Sequence, residues 1–157
     1  MILSLISAAV YGDPLEIGTP APSVVTTDHE GKSLNLGEAL AEGKALVFFY
    51  PKAMTPGCTK QACSLRDGYD QLTEMGVTIF GVSSDTAETQ AEFREKHQLP
   101  FTLIADTDQA VSKAFQKGRW SRHAYLFIDG KLEWLDLSAS TAKQAADVIE
   151  VLSSLES

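Results

Sequence analysis

Apolar residues fall along the chain in short blocks of two kinds, and their alternation predicts the architecture. Ala45 to Tyr50 (ALVFFY) and Val77 to Val82 (VTIFGV) are continuous apolar runs too short for a stable helix, the mark of strands buried on both faces. Between them, Cys58 to Met75 carries Ala62, Leu65, Tyr69 and Leu72 on one helical stripe, with Gly76 where a helix end favours glycine. Thr86 to His97 repeats the helical spacing through Ala87, Ala91 and Phe93, and Leu99-Pro100 closes it. Phe101 to Ala105 predicts a strand and Gln109 to Phe115 a short helix. Ala124 to Ile128 and Leu132 to Leu137 then flank Asp129-Gly130, a strong hairpin signal. Thr141 to Leu155 predicts a closing helix capped by Thr141, with Ala145, Val148, Val151, Leu152 and Leu155 recurring at helical spacings. Ahead of all these, GTPAPSVVTTDHEGKSLNL predicts two extended pieces around a turn at Glu30-Gly31.

The order β-α-β-α-β-α-β-β-α implies an α/β fold. Alternating strands and helices give a parallel unit, the late hairpin adds antiparallel strands, and helices cover both faces of a mixed central sheet. No repeat, low-complexity tract or Gly/Ser linker divides residues 16–157, so they are expected to form one domain. Residues 1–15 differ. Ile2 to Val10 (ILSLISAAV) is apolar and small but lacks a basic start, and it is far shorter than the about 20 residues of a membrane span. It is expected to be an N-terminal extension of a cytoplasmic protein or, alternatively, the remnant of a signal segment of an exported or periplasmic one.

Charge and cysteine content narrow the function. Thirteen Lys and Arg against 21 Asp and Glu give a net charge of -8, with no basic run, which argues against binding nucleic acid or an anionic membrane. Two cysteines cannot build the framework of a disulfide scaffold. Free cysteines are often no more than small buried hydrophobes. Cys58, however, falls in the first turn of its predicted helix, at the carboxyl end of a buried strand where reactive groups gather in α/β sheets. Pro51 stops the strand, Pro56 suits the helix start, and Gly57 lets backbone approach a ligand closely. Unpaired N–H groups and the positive dipole end stabilise a thiolate there, and the Thr55 hydroxyl can point into the same pocket. Cys63 lies five residues on. On an ideal helix the two Cα atoms stand about 8.6 Å apart, whereas a disulfide needs less than about 7 Å. If the pair bonds, the helix must unwind, which suits a transient disulfide better than a structural one. Cys63 can equally be a core residue.

FFYPKAMTPGCTKQAC resembles the active-site segment of the peroxiredoxins, and especially of their Q-type (bacterioferritin-comigratory) subfamily. Pro51, Thr55 and Cys58 match the motif of Pro, three residues, Thr or Ser, two residues, Cys; Gln61 stands where the family carries Glu or Gln. Cys63 matches the resolving cysteine of some Q-type members. GTPAPS, FGVSSDT and LPFTLIAD resemble further family segments, and Arg122 aligns with an active-site arginine, so the resemblance runs from about Gly18 to Leu137. It implies a thioredoxin-like fold and a thiol-dependent peroxidase acting on hydrogen peroxide and organic hydroperoxides. In that scheme Cys58 is the peroxidatic thiolate, Thr55 bonds the peroxide, and Arg122 holds the thiolate and polarises the O–O bond. Pro51 and Gly57 help line the substrate site, and Cys63 closes a disulfide that thioredoxin or a similar dithiol reduces. No cofactor or metal is implied, and a monomer or weak homodimer is expected. QKGRWS, between Phe115 and Arg122, is shorter than the family's loop and brings Arg119 close enough to compete for the arginine role.

Two other readings compete. A thioredoxin-like disulfide oxidoreductase needs C-x-x-C, and Thr55 occupies its first position. A copper-binding assembly protein on the same fold would use Cys58, Cys63 and His123 as soft ligands, although cysteines five apart diverge on a helix. His29 and His97 are expected to be solvated.

Overall fold

Alternation within the apolar runs decides which face of the sheet each side chain takes. The computed structural model describes residues 15–116 and 122–155. The central strand is β3 (Lys44–Phe49), paired in parallel with β4 (Val77–Ser83) and antiparallel with β6 (His123–Ile128). Beyond them lie β5 (Thr102–Ala105) and β7 (Lys131–Asp136), giving the order β5-β4-β3-β6-β7. Leu46, Phe48 and Tyr50 turn to one face, and Ala45, Val47 and Phe49 to the other. The first face is covered by α2 (Pro56–Asp67), α3 (Tyr69–Glu74), α4 (Ala87–Lys96) and α6 (Gln144–Leu155). The second carries α1 (Leu36–Ala39) and α5 (Ala110–Ala114). This is the expected mixed sheet between helical layers.

The hairpin of β1 (Val25–Thr27) and β2 (Ser33–Asn35) and the segment at Gly18 to Pro20 cover the two sheet edges. Asp28 bridges to Ile104 beside β5, while Gly18 N–H donates to Leu132 O at 2.7 Å beside β7. Paired edges leave fewer free backbone groups to recruit another strand. The predicted turn at Asp129-Gly130 is present, with φ of 49° and 81°, the positive values a two-residue hairpin needs.

Several boundaries depart from expectation. The helix expected from Cys58 to Met75 starts at Pro56 and is interrupted at Gly68. A Cβ at Gly68 would lie 2.6 Å from the Ala145 Cβ, so the glycine is where α6 reaches the α2–α3 junction. The closing helix begins at Gln144, later than the expected start at Thr141, after a turn in which Ser140 Oγ accepts from Lys143 N–H at 3.1 Å. Leu155 does not join its buried stripe and stays 49% exposed. In α4 the buried side chains are Gln90 and Phe93, not the expected alanines. Gln90 tolerates burial because its amide is satisfied twice, accepting from Tyr50 OH at 2.6 Å and donating to Ile104 O at 2.8 Å. His29, expected in solvent, is half-buried and its Nδ1 accepts from Leu103 N–H at 3.2 Å. His97 is also half-buried, its ring set edge-on against Phe93, and burial with nearby Lys96 and Arg66 holds its pKa below the ordinary value. Residues 1–14, which carry the apolar N-terminal run, lie outside the described residues, as does Arg119. No described helix is long and apolar enough to cross a membrane.

Candidate active site

The carboxyl ends of β3 and β4, the two central parallel strands, build the site loop together. After β3 the chain makes one more bond to its neighbour, Tyr50 N–H to Val82 O at 3.0 Å, before Pro51 breaks the ladder. The loop is then held from β4's side. The Asp85 carboxylate accepts from Ala53 N–H and from the Ser83 hydroxyl, each at 2.7 Å. Met54 adopts φ 70°, a left-handed conformation that a non-glycine residue holds only when its surroundings fix it. This turn aims the chain into α2, with Thr55 as N-cap and Pro56 in the first turn.

Cys58 therefore sits in the first turn of α2, packed in the core beneath the helical layer and only 1% exposed. At this position the helix supplies N–H groups with no carbonyl one turn back. Thr55 is half-buried, and its hydroxyl donates to Lys52 O at 2.8 Å instead of capping the helix, leaving its oxygen lone pairs available as acceptors. Cys63 is half-buried on the same unbroken helix, and both cysteines are free thiols. Burial, the dominant effect, keeps the nearby Tyr50 phenol well above its ordinary pKa, so it stays protonated.

Arg122 comes from the other side. Because β6 runs antiparallel to β3, with His123 opposite Phe49, the residue before β6 arrives beside the end of β3. Its Nη1 lies 3.4 Å from Cys58 Sγ and donates to Gln61 Oε1 at 2.9 Å. The glycine at 57 has a structural reason as well. A Cβ there would stand 3.0 Å from Arg122 Nη2, so a side chain would crowd the guanidinium. Gln61 is fully buried, and its Nε2 donates to Gln144 Oε1 at 2.8 Å. Gln144 belongs to α6, and nothing in its local sequence marks it.

The structure thus brings Thr55, Gly57, Cys58 and Arg122 together around the start of α2, while Pro51 shapes the loop leading in. His123 is different. It shares a face of β6 with Tyr125 and Phe127, which pack in the second core layer, and its Nδ1 lies 2.7 Å from Tyr125 OH. Cys58 packs in the first layer, so the trio Cys58, Cys63 and His123 does not assemble. Among the described residues no cluster of three His, Cys, Asp or Glu side chains could hold a metal ion.

The model of the AhpC/TSA family matches residues 17–134. Peroxiredoxin Bcp of Escherichia coli K12 is 43% identical over 114 residues, which cover 73% of this chain and 71% of that one. Peroxiredoxin Bcp of Bacillus subtilis is 41% identical over 102 residues, 64% of each chain. The crystal structure of peroxidoxin BcpB from Mycobacterium tuberculosis superposes with a TM-score of 0.82 at 28% identity, covering 91% of this chain and 99% of that one. Peroxiredoxin Q of Xanthomonas campestris superposes with a TM-score of 0.77 at 25% identity, over 83% and 90% of the respective chains.

Proposed function

We propose, from the premise that the chain belongs to the AhpC/TSA family and is a peroxiredoxin, a thiol-dependent peroxidase, that Cys58 is its nucleophile and Cys63 its resolving thiol. The peroxide substrate and the thiol reductant follow from the family. The observation that carries the residue assignment is Arg122 Nη1 at 3.4 Å from Cys58 Sγ, at the start of a helix. The guanidinium beside the sulfur puts a positive charge where the peroxide must approach.

The Cys58 thiolate attacks one peroxide oxygen, and the O–O bond breaks. The departing oxygen leaves as water or alcohol after taking up a proton, and the sulfur is left as a sulfenic acid. Thr55, whose proton is committed to Lys52 O, accepts the hydrogen bond of the incoming O–H. Arg122 and the N–H groups at the start of α2 stabilise the negative charge that develops on the departing oxygen. Pro51 and Gly57 hold the loop and the arginine in register. The Cys63 thiol then attacks the sulfenic sulfur, water leaves, and a disulfide forms. A dithiol protein such as thioredoxin reduces it in turn and becomes a disulfide itself. Because both cysteines lie on one helix, resolution requires α2 to open between them. The catalytic unit is residues 16–157, acting in the cytoplasm as a monomer or weak homodimer on hydrogen peroxide and organic hydroperoxides.

Peroxide consumption with a dithiol donor tests the assignment. Cys58→Ser is expected to abolish it, while Cys63→Ser retains a single turnover and then stalls. Full dithiol-dependent activity in Cys58→Ser would overturn the role of Cys58; normal recycling of Cys63→Ser by thioredoxin would make Cys63 a core residue.

A further inference from the structure

Gln144 presents an unusual account of its own polar atoms. Its side chain is 0% exposed, and its Nε2 has no hydrogen-bond partner among the described residues. Buried donors are nearly always paired, so an orphan calls for an explanation. The chemistry of Arg122 supplies it. A guanidinium only donates, so Gln61 can meet Arg122 Nη1 only with its oxygen, as it does at 2.9 Å. The Gln61 Nε2 must then face away from Arg122, and it needs an acceptor in a site without water contact. Gln144 Oε1 is that acceptor, at 2.8 Å. Were Gln144 turned over, two NH2 groups would oppose each other. Its orphan nitrogen is the consequence of an orientation imposed from the arginine.

We propose that Gln144 is a positioning residue for peroxide reduction: its Oε1 locks Gln61 with the oxygen toward Arg122 and so fixes the guanidinium beside Cys58. This rests on the assignment of Cys58 and Arg122 above and extends the site to α6. The anchor is firm because the start of α6 is docked on α2. Ala145 N–H donates to Ser64 Oγ at 3.2 Å, and the missing Cβ at Gly68 admits the Ala145 methyl. At the other end, the missing Cβ at Gly57 leaves room for the guanidinium, whose Nη1 donates to Gln61 Oε1. Gln144→Met removes the acceptor while keeping the length. It exchanges one orphan donor, Gln144 Nε2, for another, Gln61 Nε2, so stability is expected to change little. Gln61 keeps its oxygen toward Arg122 but loses the bond that holds its amide in place, so the charge-assisted bond to the guanidinium is held less rigidly.

The test uses Cys63→Ser protein, in which only Cys58 reacts, and compares two rates at one pH. One is oxidation by hydrogen peroxide, measured in competition with a haem peroxidase. The other is alkylation by iodoacetamide, which needs the thiolate but no O–O polarisation. Gln144→Met is expected to lower the peroxide rate about tenfold and the alkylation rate much less. Gln144→Asn, one carbon shorter, withdraws the oxygen and should behave alike, which keeps the test open if the Met variant folds poorly. Gln144→Glu retains an oxygen acceptor and should restore most of the peroxide rate. On an Arg122→Met background, Gln144→Met should cost nothing further. An unchanged peroxide rate in Gln144→Met and Gln144→Asn overturns the proposal, and so does a loss that adds in full to that of Arg122→Met. If Arg122→Met alone leaves the peroxide rate intact, the arginine assignment itself fails and takes the relay with it.

Discussion

The contact between Gly68 and Ala145 gives a sharp prediction for Gly68→Ala. The new methyl would stand 2.6 Å from the Ala145 Cβ, against about 3.5–4.0 Å for carbons in contact. One helix must therefore retreat by about 1 Å. Overpacking of this kind costs about 1–3 kcal/mol. Gly68 has φ −92° and ψ 5°, a conformation open to alanine, so no backbone strain is added. Loss of a glycine from the unfolded chain returns about 0.4–1 kcal/mol. The net expectation is a destabilisation of about 1–2 kcal/mol, which lowers the thermal midpoint by about 2–8 °C in a chain of this size. Urea unfolding of Gly68→Ala, Ala145→Gly and the double variant isolates the contact. Ala145→Gly opens the space, so the double variant should be more stable than the sum of the single effects implies, with a coupling of about 1–2 kcal/mol. A Gly68→Ala protein as stable as the parent, or strictly additive variants, would refute the claim that this glycine exists to seat α6.

Two further outcomes follow from buried polar groups. Tyr50→Phe leaves Gln90 Oε1 without its donor in a fully buried position, and should cost about 1–2 kcal/mol in urea unfolding; an unchanged midpoint would show that the bond contributes nothing. Burial first, and the neighbouring Asp136 and Glu150 carboxylates after it, raise the Asp147 carboxyl above its ordinary value, with Lys143 acting in opposition. The folded chain then binds that proton more tightly than the unfolded one, so this contribution to stability is present below the ordinary carboxylate value and is lost as pH rises through the raised one. Asn cannot ionise. Asp147→Asn should therefore gain on the parent by a few tenths of a kcal/mol toward neutral pH and lose that advantage at the acidic end; a pH-independent difference in urea midpoint would contradict the assignment.

How much of this was legible in the chain depends on whether the deciding partner is local. Short continuous apolar runs placed the central strands, because burial on both faces of the sheet makes nearly every residue of the run apolar. Cys58 was legible because Pro51, Pro56 and Gly57 describe the strand end and helix start from adjacent positions. Arg122 was legible only through the family resemblance, since its partner is far away in sequence, and the structure places it at the sulfur. The break at Gly68 was not legible, for the glycine is required by Ala145 on another helix. Gln61, Gln90 and Gln144 all have the polarity of solvent-facing residues. Their burial is decided by who completes their hydrogen bonds, and those partners lie on other elements. His123 misled for a related reason: one step along a strand moves a side chain to the opposite face, and its step puts it with Tyr125, away from the cysteines.

Mass spectrometry of the reduced protein after one equivalent of hydrogen peroxide reads out which sulfur reacts first and with which it pairs. The native chain is expected to lose two hydrogens and yield a peptide pair joined through Cys58 and Cys63, while Cys63→Ser instead gains one oxygen, carried by Cys58. An oxygen on Cys63 with Cys58 untouched, or a disulfide that still forms in Cys58→Ser between two protein molecules at the same rate, would contradict these roles.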